Sequence, residues 1–164
     1  MGQAGPIGSK LRDAAGTAVP IPSSGELQLH DFFENGGIAL HLVDGQGVIL
    51  EANRAELELL GYDREDYVGQ QIADFHADQH VIDDILARLG RGETLQKYPA
   101  RLRARDGSIK HVEITSSARF ENGRFINTRC FTVDVTDLMR ARAEIRRKDD
   151  LFRQVLMHCQ PPST

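Results

Sequence analysis

The stretch DGQGVILEANRAELELLGYDREDYVGQ, residues 44–70, decides the fold of this chain. Asp44-Gly45 and Gly47 supply turn chemistry between two apolar runs, 38–43 and 48–50, and predict a short hairpin. Asn53 then stands as the N-cap of a helical pattern, Ala55, Leu57, Leu59 and Leu60, which stops at Gly61. A second short helix follows in DREDYVGQ. The order is strand, turn, strand, capped helix, short helix.

Upstream, residues 1–24 are rich in Gly, Ala, Pro and Ser and read as a flexible leader. Residues 25–36 form a short flanking helix with Leu27, Leu29, Phe32 and Phe33 on its greasy side, stopped by Asn35-Gly36-Gly37. Such a helix either covers the sheet of its own domain or packs on a partner's.

Downstream, Asp78 is placed to cap a helix over 79–89 that carries Val81, Ile82, Ile85, Leu86 and Leu89 at helical spacing. The next run alternates, with Tyr98, Ala100, Leu102 and Ala104 on one side and Lys97, Arg101, Arg103 and Arg105 on the other. Asp106-Gly107 turns it into a strand with Val112, Ile114, Ser116, Ala118 and Phe120 on one face. Glu121-Asn122-Gly123 turns again, into residues 124–135. Two consecutive hairpins make an antiparallel meander, and the earlier strand pair must join it to bury a face. With three short helices between the two groups, the class is α+β.

From 137 to 158 the pattern is helical. Leu138, Ile145 and Phe152 recur every seven residues, with Ala141 and Val155 between them and Lys148 interrupting the seam, which predicts a coiled-coil linker helix. The competing reading is a helix lying on its own domain. Residues 159–164 are a tail.

The net charge of −4 gives no reason to expect nucleic-acid binding. The basic cluster Arg140, Arg142, Arg146, Arg147, Lys148 and Arg153 is interleaved with Glu144, Asp149 and Asp150 and reads as a solvated flank. No apolar run approaches the ~18 residues of a membrane span, and the N-terminus lacks the pattern of a secretory signal. Cys130 and Cys159 lie far apart without ligand spacing and suggest a reducing, cytoplasmic setting.

Four pieces in order, GVILEANRAELELLGY, DREDYVGQ, ARLRARDGSIKHVEI and FTVDVTD, resemble the PAS domain, a sensor module of signalling proteins such as histidine kinases, over residues 32–137. The resemblance implies a five-stranded antiparallel sheet of order 2-1-5-4-3 with helices on one face, a pocket between, and a core over 37–136. It implies a homodimer through the flanking helices (Leu27, Phe32, Phe33, Leu138, Ile145, Phe152), with a kinase or other output domain as partner. FTVDVTD resembles the D-x-T motif that ends many PAS cores, and this makes Asp134 and Thr136 the signal relay. Read physically, Asp134 pairs with a basic neighbour and Thr136 caps the outgoing helix.

No catalytic residue is expected, and the chain reads as a non-enzyme. His76 and His80 share one face if both are helical, but no cysteine accompanies them and a metal site is not expected. Heme is the sharper alternative, because some PAS oxygen sensors bind iron through a histidine of this helix. His80 is nearest that position, with His76 next, although a gapless alignment places Ile82 there. Flavin is disfavoured, since QIADFHADQH holds no counterpart of the light-sensing cysteine. Cys130 falls on the last strand beside Thr128 and Thr132, as a small buried hydrophobe. Phe75, Ile85, Leu89, Leu102, Val112, Ile114 and Cys130 are the pocket-lining candidates, around either a small ligand or a packed core. Whether a cofactor is held is left open, with none as the first expectation. DDLFRQVLMHCQ resembles the start of a kinase phosphoacceptor helix ending on His158, yet Cys159 replaces the expected acid. A degenerate phosphotransfer fragment is the second alternative.

Overall fold

A computed structural model describes residues 23–159. The leader except its last two residues, and the tail except Cys159, lie outside the described residues. Five strands form one antiparallel sheet: β1 (Ala39–Val43), β2 (Ile49–Ala52), β3 (Leu95–Arg103), β4 (Ile109–Glu121) and β5 (Arg124–Asp134), in the order β2-β1-β5-β4-β3. The helices are α1 (Ser24–Asn35), α2 (Arg54–Leu60), α3 (Arg64–Tyr67), α4 (Gln79–Gly90) and α5 (Thr136–His158), with a 3₁₀ turn at Ile72–Phe75. The α+β class and the strand order are those expected. The segment between β2 and β3 differs, with three α-helices and a 3₁₀ turn in place of three short helices.

The inward face of the sheet and the helices α2 to α4 enclose one core, in which Val43, Ile49, Leu60, Tyr67, Ile82 and Leu89 are almost fully buried. Leu60 closes α2, and Gly61 follows at φ +76°, a left-handed cap that glycine adopts at little cost.

Asn53 bonds on every side. Its Oδ1 accepts from the amides of Glu56 (3.0 Å) and Leu40 (2.9 Å), and its Nδ2 donates to the carbonyls of Phe33 (3.0 Å) and Ile38 (2.9 Å). One fully buried side chain thus caps α2 and ties the end of α1 to β1. Arg64 adds a second tie, donating to the Ala52 carbonyl and to the Glu34 carboxylate.

α1 begins with a capping box between Ser23 and Glu26, and it buries no residue. Leu27 and Phe32 are exposed and Phe33 half-buried, so α1 does not cover its own sheet. α5 stands clear as well: Thr136 is its only buried residue, and Leu138, Ile145 and Phe152 face solvent. The alternative of a helix lying on its own domain is not what the structure shows. At 23 residues, α5 reaches about 34 Å from the sheet end.

Candidate functional site

The inward face of β1 alternates Ala39, His41 and Val43, so the strand's period of two turns a histidine into the core. Glu56, in the first turn of α2, points the same way and is fully buried. Its Oε1 lies 3.0 Å from His41 Nδ1, and the Tyr67 hydroxyl donates to that same oxygen at 3.0 Å. Opposite His41 in the β1–β5 register sits Cys130. The Cys130 Sγ is 2.8 Å from Ser116 Oγ on β4 and donates to Thr128 Oγ1 at 3.4 Å. Every member of this cluster is buried.

Charges this deep persist only when they are paired. Burial works against charge on His41, yet Cys130 and the Glu56 carboxylate outweigh it and hold the imidazole pKa well above its usual value. For Glu56, burial is likewise outweighed, here by His41 with Tyr67 and Thr132, and its pKa falls below normal. Burial and the adjacent Glu56 keep Tyr67 protonated far into the alkaline range, so it remains a donor. Burial alone would push the Cys130 thiol up. His41 and the Ser116 and Thr128 hydroxyls reverse that and bring it below the ordinary thiol value.

Beside the cluster lies a cavity of about 10 Å³, lined by His41, His76, Ile82, Ile85, Ile114 and Cys130 among others, with room for about one water. His76 turns into it from the residue after the 3₁₀ turn, with Nδ1 buried and unpartnered. Burial, reinforced by repulsion from His41, lowers its pKa to about 4 and keeps the ring neutral. Outside, the β1–β2 turn, α4 and the start of β5 border an open groove of about 740 Å³. Leu86, Leu89 and Thr128 line both spaces, so the wall between them is one side chain thick.

Of the seven pocket-lining candidates, Ile85, Leu89, Ile114 and Cys130 line the cavity. Phe75, Leu102 and Val112 are buried elsewhere in the core; Phe75 packs on Tyr62 and Tyr67. His76 and His80 do not share a face, because His76 precedes α4 whereas His80 lies within it, exposed. An exposed His80 cannot ligate iron between helices and sheet. His76 reaches the interior, but the space there admits no porphyrin, and the residues present do not fit heme. Asp78 occupies the N-cap position of α4 without capping it, since its carboxylate is engaged by Arg101 at 2.5–2.8 Å. Among the described residues no group of three or more His, Cys, Asp or Glu side chains converges as metal ligands, and no helix is long and apolar enough to cross a membrane.

At the joint, the first amide of α5 is held by Asp134 and not by Thr136 as expected. Asp134 Oδ1 accepts the amide of Thr136 at 2.9 Å, while the Thr136 hydroxyl accepts the His111 amide at 2.9 Å and so fastens α5 to β4. Lys110 lies 3.9 Å from the other oxygen of Asp134, the basic neighbour anticipated from sequence. His158 ends α5, exposed, with its Nδ1 3.0 Å from the Gln154 carbonyl of its own helix.

Sequence reasoning passed over His41 and Glu56. The alternation of β1 was a usable signal for His41. Glu56, three residues after Asn53, reads as the outer half of a capping box and carried no sign of burial.

A family profile described as the PAS fold matches residues 28–134. Among solved structures, the chain is similar to the PAS domain of an HTR-like protein from Haloarcula marismortui, at 24% identity and TM-score 0.59 over 67% of this chain and 91% of that one. A PAS domain from Colwellia psychrerythraea matches at 22% identity and TM-score 0.61, over 68% and 97%. An RNA-binding light-oxygen-voltage receptor matches at 17% identity and TM-score 0.67, over 87% of this chain and 42% of that one. At these identities the likeness is one of fold. No curated protein matches the chain.

Proposed function

This chain belongs to the PAS-fold family, and on that premise we propose that it is a non-catalytic sensor and dimerisation module, which passes the state of its buried polar cluster to α5. One observation carries this reading. β5 holds Cys130 and Thr132 in the buried interior and ends at Asp134, whose carboxylate grips the first amide of α5. The cluster and the helix start are therefore about 13 Å apart along one strand. A change of charge or hydrogen bonding at Cys130 displaces β5, and β5 has few ways to move without disturbing the Asp134–Thr136 joint.

The output end fits a paired helix. Leu138, Ile145 and Phe152 form an exposed apolar seam, and Leu27 and Phe32 are exposed on α1. Two copies pairing through α5 would bury that seam, and a kinase or other output domain attached through α5 would read its register. The lowered Cys130 thiol and its contact with Ser116 favour redox or small-ligand input over a bulky cofactor.

The reading is tested by hydrogen exchange along α5. Glu56→Gln removes the buried charge at nearly constant shape, and should change protection of the amides between Leu138 and Phe152. Asp134→Ala in the same background should abolish that response. Identical α5 exchange in the wild type and Glu56→Gln would overturn the relay.

A further inference from the structure

Cys130, His41 and Glu56 stand in the order thiol, imidazole, carboxylate, with the acid 3.0 Å from one ring nitrogen and the thiol directly across the strand pair. In antiparallel sheets such a cross-strand pair has Cβ atoms ~5 Å apart, within side-chain contact. This is the constellation that activates a sulfur nucleophile: an acid orients and charges the imidazole, and the imidazole stabilises the thiolate. Ser116 Oγ, 2.8 Å from the sulfur, is a further donor to its negative charge. Nothing in the proposed relay requires an activated thiol.

Two independent features say what such a thiol could meet. The cavity beside Cys130 has about 10 Å³, space for one oxygen of a peroxide, and the second oxygen is admitted when Leu86 or Leu89 of the shared wall moves back. The unpartnered Nδ1 of His76, on a side chain 94% buried by its 6% exposure, lines that same cavity as a free polar contact. Entry requires only that Leu86 or Leu89, which also line the outer groove, swing aside.

We propose that Cys130 is a peroxide-reactive thiol, oxidised by hydrogen peroxide that enters the cavity beside His76. The Cys130 thiolate attacks one peroxide oxygen. An S–O bond forms, the O–O bond breaks, and sulfur is oxidised to the sulfenic acid while peroxide is reduced. The departing hydroxide takes the proton of the His41 imidazolium and leaves as water. Loss of the thiolate and of the His41 charge then leaves the Glu56 carboxylate without its cation, a large electrostatic change on the strand that ends at Asp134. The groups facing the sulfur and His41 are Glu56 from α2, Tyr67 from α3, His76 from the turn before α4, Ser116 from β4, and Thr128 and Thr132 from β5; α4 contributes only the apolar Ile82, Ile85, Leu86 and Leu89. This names an input for the relay and rests on that reading only for its consequence at α5.

Cys159, exposed at the end of α5, serves as the thiol for comparison. The full chain carrying Cys159→Ser, and separately Cys130→Ser, is treated with hydrogen peroxide in the presence of dimedone, and adduct mass is followed from pH 5.5 to 8.5. An unassisted thiol reacts about tenfold faster per pH unit below its pKa of about 8.5. Cys130 is expected to lose much of that slope and to outpace Cys159 severalfold at pH 6. Ser116→Ala should slow it severalfold, and His41→Gln should restore the steep slope; if His41→Gln does not fold, the wild-type slope decides alone. A Cys130 labelled only in urea, or with the slope of Cys159, overturns the proposal. Adduct mass reports the thiol chemistry and α5 exchange reports the relay, so either can fail without the other.

Discussion

Glu56 of α2 sets a carboxylate oxygen 3.0 Å from the Nδ1 of His41 on β1, with solvent reaching 0% and 5% of the two side chains. An ion pair this deep is costly to break and cheap to replace. Removing one partner strands the other charge, whereas replacing both with apolar groups removes the desolvation penalty as well. Glu56→Leu is therefore expected to destabilise by about 3–5 kcal/mol in urea unfolding. His41→Leu combined with Glu56→Leu should cost less than Glu56→Leu alone, despite leaving the Tyr67 hydroxyl without its acceptor. A double variant at or below the stability of the single would show that the two groups are not coupled.

The same interior gives stability a pH optimum. His76 titrates at about 4 in the fold against an ordinary 6.5, so between those values the unfolded chain binds the extra proton and acid favours unfolding. From pH 7 to 4.5 this removes about 2 kcal/mol. His76→Leu should flatten that acid limb. Glu56, with its pKa lowered, adds stability above its ordinary 4.5 that disappears as pH falls through its folded value. His41, with its pKa raised, contributes fully below 6.5 and loses that contribution as pH rises through its folded value. Cys130, with its pKa lowered, adds stability that grows until the unfolded thiol ionises at its ordinary 9.0 and offsets the His41 loss up to there. Urea midpoints from pH 4 to 10 should therefore fall on the acid side of neutrality and on the alkaline side only above about 9, and an unchanged acid limb in His76→Leu would refute the assignment to His76.

The frame of the molecule was legible from local signals. Asn53 as the cap of α2, Gly61, Asp106-Gly107 and Asn122-Gly123 each act through neighbouring backbone, and the elements they bound lie where that chemistry placed them. The interior was less legible, because polarity in sequence is read as exposure. Glu56 follows Asn53 at capping-box spacing, so its charge had a ready surface explanation. His41 sat inside an apolar run and was passed over. Asp78 failed as a cap for a related reason: Arg101, 23 residues on, outcompetes the local amides, and no local pattern announces such a partner. His80 illustrates the limit of helical spacing, since a start at Gln79 puts His76 outside the helix and His80 on its exposed side.

Asn53 should be the most expensive cap in the chain. An N-cap substitution usually costs ~1 kcal/mol, but Asn53→Ala also strips the Leu40 amide and the Phe33 and Ile38 carbonyls of a buried partner. These three bonds are only part-buried, so each group left unsatisfied adds about 1 kcal/mol, the low end of the usual cost, and a total near ~4 kcal/mol is expected from thermal or urea unfolding. The loss should also free α1, seen as faster proteolysis between Phe33 and Ile38. A cost of only ~1 kcal/mol would mean that water replaces the interior bonds.

Heme makes a decidable case. Protein expressed with a heme precursor and purified should show no Soret band, because a 10 Å³ cavity cannot take a porphyrin unless α4 withdraws from the sheet. A band lost in His76→Ala would show that α4 does withdraw, and would return His76 to the role of ligand.

Asp134 is the remaining test, because it separates a helix cap from a signalling joint. Its carboxylate holds the first amide of α5, and removing a cap of this kind costs ~1 kcal/mol and frays the first turn. If capping is its whole role, Asp134→Ala should accelerate exchange at Thr136 and Asp137 and leave the amides beyond Leu138 unaffected. Thr136 would still tether the helix to the His111 amide, so α5 would stay in place. As a joint, the residue transmits displacement of β5 along the helix. Asp134→Ala should then alter protection through Ile145 and Phe152 and shift the monomer–dimer equilibrium measured by analytical ultracentrifugation. Asp134→Asn keeps an acceptor oxygen for the Thr136 amide but loses the charge facing Lys110, 3.9 Å away. Wild-type behaviour in Asp134→Asn would assign the joint to the hydrogen bond, and behaviour like Asp134→Ala would assign it to the ion pair.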